Sequence, residues 1–154
     1  MTQLEIRFQD YLITDDRTRL DPELIHGYLS RESYWAKGVA RELVDRSLQH
    51  SLCIGVYMSS GAQIGLARVI TDHATFAYLC DVFILSAHRG KGLGKALMRA
   101  VLDHPQLQTI RRITLATRDA HELYAGFGFK IIAEPEKQME KRFPSNYPPD
   151  VAST

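Results

Sequence analysis

Between residues 89 and 95 the chain reads Arg89-Gly90-Lys91-Gly92-Leu93-Gly94-Lys95, a run in which every second position is glycine and the rest is mostly basic. Glycine lets backbone come close to a ligand and turn its amides inward, and a helix starting just beyond aims the positive end of its dipole at the same point. Arg89, Lys91 and Lys95, with Arg99 a turn further on, add local positive charge. This is phosphate-binding chemistry. Two common phosphate loops fail on spacing. A P-loop needs glycine where Arg89 stands and Ser or Thr where Ala96 stands. The dinucleotide fingerprint needs a third glycine at Lys95 or Leu97.

The elements around this loop follow from periodicity and punctuation. Tyr11–Thr14 reads as a short strand, and Asp21-Pro22-Glu23 supplies an N-cap, a first-turn proline and a first-turn acid for a helix carrying Leu24, Ile25, Tyr28 and Leu29 on one face. A second helix is expected near residues 38–49. Between the two lies the aromatic pair Tyr34-Trp35. From Leu52 the period changes to two, and Ser59-Ser60-Gly61-Ala62 turns the chain into a hairpin. A third strand over 75–85 is expected to put Phe76, Tyr78, Cys80, Val82 and Ile84 on one side. The glycine loop and a helix to about Asp103 come next, then a strand with Ile113 and Leu115. Asp119 and Glu122 fit a capping box for a short helix with Leu123 and Tyr124, and Lys130–Ile132 reads as a last strand.

Composition narrows the partners. The 154 residues include 19 basic and 18 acidic side chains, net charge +1, which suits one domain and argues against nucleic acid or a membrane surface as a partner. No apolar run approaches the length of a membrane span. Met1 to Phe8 lacks the pattern of a secretory signal, and the two cysteines, Cys53 and Cys80, form neither a disulfide framework nor a zinc knuckle. The expectation is a cytoplasmic protein without a bound metal, with residues 1–142 as one domain and 143–154 as an irregular, proline-containing tail.

Arg89-Gly90-Lys91-Gly92-Leu93-Gly94 resembles the Arg/Gln-x-x-Gly-x-Gly/Ala acyl-CoA loop of the GNAT superfamily of N-acetyltransferases. Asp81-Val82-Phe83-Ile84 resembles that family's central strand, and Leu123-Tyr124-Ala125-Gly126-Phe127-Gly128-Phe129 its Leu-Tyr-x-x-x-Gly-Phe signature. The order of elements agrees from about Tyr11 to Ile132. Ser86 stands where the family commonly has proline and Thr117 where it commonly has asparagine, so no role passes to Thr117.

The resemblance implies an α/β fold of GNAT type, a mixed, mostly antiparallel sheet of six or seven strands flanked by about four helices. It implies an acyltransferase that moves an acetyl group from acetyl-CoA to a primary amine by direct attack. Backbone amides from Arg89 through Gly90, Lys91, Gly92, Leu93 and Gly94 to Lys95 would hold the pyrophosphate. Val82, Phe83 and Ile84 would pair with the pantetheine arm, and an amide of Phe83 or Ile84 would polarise the thioester carbonyl. Tyr124 would protonate the leaving thiolate. Attack requires a neutral amine, so a carboxylate must take a proton, and Asp81 is favoured over Asp72. Arg68 is read as Asp81's ion-pair partner or as an anchor for a substrate carboxylate. Tyr34 and Trp35 sit on the family's acceptor side, where they would stack on substrate, although a lone tryptophan also serves as a core anchor. A homodimer is compatible with the resemblance. The alternative reading is an acyl-CoA-binding sensor that lost turnover.

Overall fold

The computed structural model describes residues 3–144, and most of the expected 143–154 tail lies outside them. The sheet has six strands in sequential order, β1 (Glu5–Phe8), β2 (Tyr11–Thr14), β3 (Leu52–Met58), β4 (Gln63–Thr71), β5 (Phe76–Ile84) and β6 (Arg112–Leu115). Every neighbouring pair is antiparallel except β5 and β6. That one parallel pair requires a crossover, supplied by α3 (Leu93–Leu102). The α-helices α1 (Pro22–Arg31) and α2 (Arg41–Gln49) precede the central hairpin, and α4 (His121–Ala125) follows β6.

Helices cover both faces. On one, Leu97, Met98 and Val101 of α3 join Ile13, Ile54, Val56 and Leu79 in a buried cluster. On the other, Ile25, Tyr28 and Leu29 of α1 and Val44 and Leu48 of α2 pack on Cys53, Leu66 and Phe83. The start of α1 follows its sequence signals, since Asp21 accepts from the Leu24 amide at 3.1 Å and Pro22 occupies the first turn.

The middle of β5 departs from simple alternation. Leu66 faces Phe83 and Arg68 faces Cys80, so Asp81 and Val82 together oppose Ala67. Asp81 takes a positive φ of 50°. This β-bulge inverts the phase of the strand. Ala77 and Leu79 before it, but Ile84 and Val82 after it, face α3, while Phe83 faces α1. The expected single face from Phe76 to Ile84 is therefore divided at Asp81. Beyond the bulge, β6 no longer follows. It pairs only with Phe76–Leu79, which leaves Val82–Ile84 laddered to β4 alone.

One strand is added and two further expectations are corrected. A strand at Glu5–Phe8 precedes Tyr11–Thr14 and pairs with it. Lys130–Ile132 is irregular rather than a strand, with Ile131 78% exposed, because the segment between the Gly126–Gly128 turn and Pro135 has no ladder to join. Asp119 does not cap α4. The N-cap is Ala120, whose amide donates to Thr117 Oγ1 at 3.0 Å.

Candidate active site

The divergence of β5 and β6 opens a groove of about 590 Å³ that collects most of the residues singled out in the sequence. Val82, Phe83 and Ile84 line it on one side, and Arg89, Gly90, Gly92, Leu93 and Gly94 at one end. Tyr124 closes the far side, and Tyr34 and Trp35 stand on the rim.

The loop is shaped by its glycines. Gly90 and Gly92 have φ of 80° and 84°, left-handed values that L side chains rarely adopt, and Gly92 is the N-cap of α3. Gly94 has an ordinary backbone, and a Cβ there would meet nothing within 4 Å, so its role is to leave room. The side chains of the loop mostly turn away. Arg89 Nε donates to the Ile84 carbonyl at 2.9 Å and its Nη2 to Tyr28 Oη at 3.3 Å. Lys91 Nζ donates to Tyr11 Oη at 3.2 Å, and its carbonyl accepts from Gln9 Nε2. Lys91 and Lys95 are exposed and lie outside the groove lining. What the loop leaves for a ligand is the set of first-turn backbone amides at the N-terminus of α3, an arrangement that favours anions.

Val82–Ile84 present the complementary feature. With no β6 partner, this edge of the strand can take an extended chain as an added strand.

Tyr124 is buried, 8% exposed, with its ring against Phe129 at 5.8 Å between centroids. Burial, and to a smaller extent the Tyr34 hydroxyl, push its ionisation above the usual phenol range. It is protonated at neutral pH. It can donate.

Asp81 sits at the bulge, 9% exposed, and does not line the groove. Its Oδ2 accepts from Arg68 Nε at 2.7 Å and its Oδ1 from Trp35 Nε1 at 2.7 Å. Arg68 is thus an ion-pair partner, and it also donates to Ser51 Oγ at 2.9 Å. Trp35, 40% exposed, is pinned by this bond and by edge contact with Tyr34. Asp72 is a turn former. Its oxygens accept from the Thr75 hydroxyl and the amides of Ala74, Thr75 and Phe76, and the Thr75 hydroxyl leads these bonds in holding it well below the carboxylate range.

Seven residues of the groove lining were not expected as site residues: Tyr28, Glu32, His88, Arg118, Asp119, Ala120 and Leu123. Tyr28 stacks on Phe83 at 4.0 Å, and the Arg118 guanidinium lies 3.9 Å over the Tyr34 ring while its amide donates to Tyr34 Oη at 2.9 Å. Tyr28 carried a signal as an apolar-face position of α1, Asp119 as a capping residue and Leu123 as part of the tyrosine motif; the others carried none. Among the described residues no group of three or more His, Cys, Asp and Glu side chains could hold a metal ion. No described helix is long and apolar enough to cross a membrane.

A sheet splayed beside a glycine loop at a helix N-terminus, with a protonated tyrosine across the gap, defines an acyltransferase of the GNAT class. The family model described as the acetyltransferase (GNAT) domain matches residues 49–131, and the chain belongs to that family. A protein of Gibberella zeae provisionally named an acetyltransferase is 31% identical over 134 residues, 75% of this chain and 76% of that protein. A crystal structure from Xanthomonas campestris pv. campestris, provisionally assigned to the GNAT family, is 48% identical with a TM-score of 0.87, covering 92% of this chain and 99% of that one. A soybean (Glycine max) protein named as a histone acetyltransferase is 39% identical over 74 residues, 47% of this chain but only 31% of the soybean protein.

Proposed function

We propose that the protein transfers an acetyl group from acetyl-CoA to a primary amine by direct attack. The observation that carries this reading is the juxtaposition of the Gly90–Gly94 loop at the α3 N-terminus, the unladdered edge of Val82–Ile84 and Tyr124 around one groove. The loop amides and the α3 N-terminus take the pyrophosphate, and the pantetheine arm adds to β5 as a strand. The amide of Phe83 or Ile84 donates to the thioester oxygen as charge develops on it.

The amine nitrogen bonds to the acetyl carbon and the carbon–sulfur bond breaks. Asp81 lies just outside the groove, so it receives the proton that the amine loses through a water relay, each of its oxygens keeping acceptor capacity beyond the bond to Arg68 or Trp35. Tyr124 gives its phenolic proton to the thiolate and is reprotonated from solvent. Tyr34 and Trp35 form the acceptor side. The products are the N-acetyl amine and CoA thiol.

The test follows CoA thiol release with acetyl-CoA and a panel of amines, beside a direct measurement of acetyl-CoA binding. Release that depends on an amine and falls in Tyr124→Phe supports the reading. Binding without release from any amine supports a sensor. Absence of acetyl-CoA binding refutes both.

A further inference from the structure

Behind Trp35 lies a second cavity, of about 210 Å³, between α1, α2 and the β4–β5 face. Its wall is largely aliphatic and aromatic, with Leu29, Val39, Leu43, Val44, Ile70 and Tyr78 among its lining. The charges in the wall are Arg68 and Asp81, which neutralise each other at 2.7 Å. Cys80 adds a thiol that burial pushes up to about 12, so it is uncharged at neutral pH. Ile70, 45% exposed, stands at the open side.

The cavity adjoins the donor groove, with the Trp35 ring and its bond to Asp81 standing between them. Trp35 lines both, and while Asp81 lies in the cavity wall, the next residue, Val82, lies in the groove. A molecule filling the cavity therefore has one end beside Trp35 and Asp81, next to the β5 residues that line the groove.

We infer that this cavity is the acceptor pocket, and that the acceptor is a small primary amine with an uncharged apolar body, such as a hexyl or phenethyl group. The inference rests on the acetyl-transfer reading above. Two physical reasons carry it. The first is volume and polarity: 210 Å³ is the liquid volume of roughly seven waters, enough for a hexyl chain or one ring, and the wall has no net charge to hold an ionised body. The second is protonation. Burial beside apolar side chains disfavours the ammonium form and releases the neutral amine that attack requires. The Asp81 carboxylate in the wall, already paired with Arg68, then has a proton to accept instead of a permanent cation to hold.

The experiment measures kcat/KM from CoA release for ethylamine, butylamine, hexylamine, octylamine and phenethylamine, against ethanolamine, lysine and spermidine. The apolar series is expected to rise about fourfold per methylene and to level off once the cavity is full. Ser47→Phe, which places a ring into the cavity from α2, is expected to bring the plateau to a shorter chain with KM for acetyl-CoA unchanged. Should that variant not fold, Ile70→Asp at the exposed rim is expected to lower kcat/KM several-fold more for hexylamine than for ethylamine. A flat chain-length series, or turnover fastest with lysine or spermidine, overturns this inference and leaves acetyl transfer standing. Acetyl-CoA that binds but reacts with no amine overturns both.

Discussion

Asp81→Asn separates what Asp81 does for the fold from the proton acceptance proposed for it. The carboxylate has two oxygens and serves two donors, Arg68 Nε and Trp35 Nε1, each at 2.7 Å. A carboxamide offers one oxygen, so one donor loses its acceptor and Arg68 keeps an uncompensated charge. Removing one partner of a buried ion pair costs about 3–5 kcal/mol. Arg68 is 14% exposed and retains Ser51 Oγ, which places the loss at the lower end, about 3 kcal/mol. For a chain of this size that lowers Tm by about 6–12 °C. Thermal and urea unfolding of Asp81→Asn, Arg68→Met and the double variant measure it. The double variant is expected to recover about 1–3 kcal/mol of the summed losses. Turnover is then compared at a temperature where all variants are folded. A proton acceptor contributes about 10²–10⁴-fold, and that loss should shrink as pH rises toward the amine pKa near 10, where the neutral amine forms unaided. A stability loss below about 1 kcal/mol refutes the pair as a prop of the bulge, and a rate loss independent of pH refutes proton acceptance.

Tyr124→Phe should reduce acetyl transfer by roughly 10- to 10³-fold while Tm stays close to wild type. Because burial raises the phenol's ionisation, the wild-type profile should hold its acid form past the usual tyrosine range, and a profile identical in the Phe variant would dismiss the role. Gly92→Ala imposes a left-handed backbone on an alanine, about 1–2 kcal/mol of strain, with Phe8 Cζ at an ordinary 3.5 Å. Relaxation of the loop should raise KM for acetyl-CoA about tenfold. Gly94→Ala should leave Tm unchanged or higher and still weaken acetyl-CoA binding, because its Cβ enters the groove. Cys53 and Cys80, pushed up by burial to about 11 and about 12, should resist iodoacetamide at neutral pH until the chain is unfolded, as mass spectrometry would show.

Much of this was legible in the chain because it is written locally. Asp21-Pro22 announces α1 through groups that act within one turn. The glycine loop and the tyrosine motif have fixed spacings, and both line the groove. What escaped depends on partners distant in sequence. Glu5–Phe8 alternates charged and apolar residues and gains a strand's identity only from Tyr11–Thr14 beside it. The bulge at Asp81 uses a non-glycine residue at positive φ, for which residue type gives no warning, and it turned a strand read as one face into two. Thr117 carried no assigned role, yet its hydroxyl organises the turn into α4 in place of the expected Asp119 cap. Arg118 reaches the site only because Tyr34, 84 positions away, folds against it.

The gap between β5 and β6 has a thermodynamic side. The sheet is short of one strand segment beside Val82–Ile84, and the ligand that fits there would supply it. Folding and donor occupancy are then linked quantities: acetyl-CoA at a hundred times its Kd would add about 2.7 kcal/mol to the folded state. CoA, which keeps the pantetheine arm, would do nearly as much after turnover. Under a changing supply of either, the lifetime of this protein would track the cofactor pool, and its measured stability would have no single value independent of it.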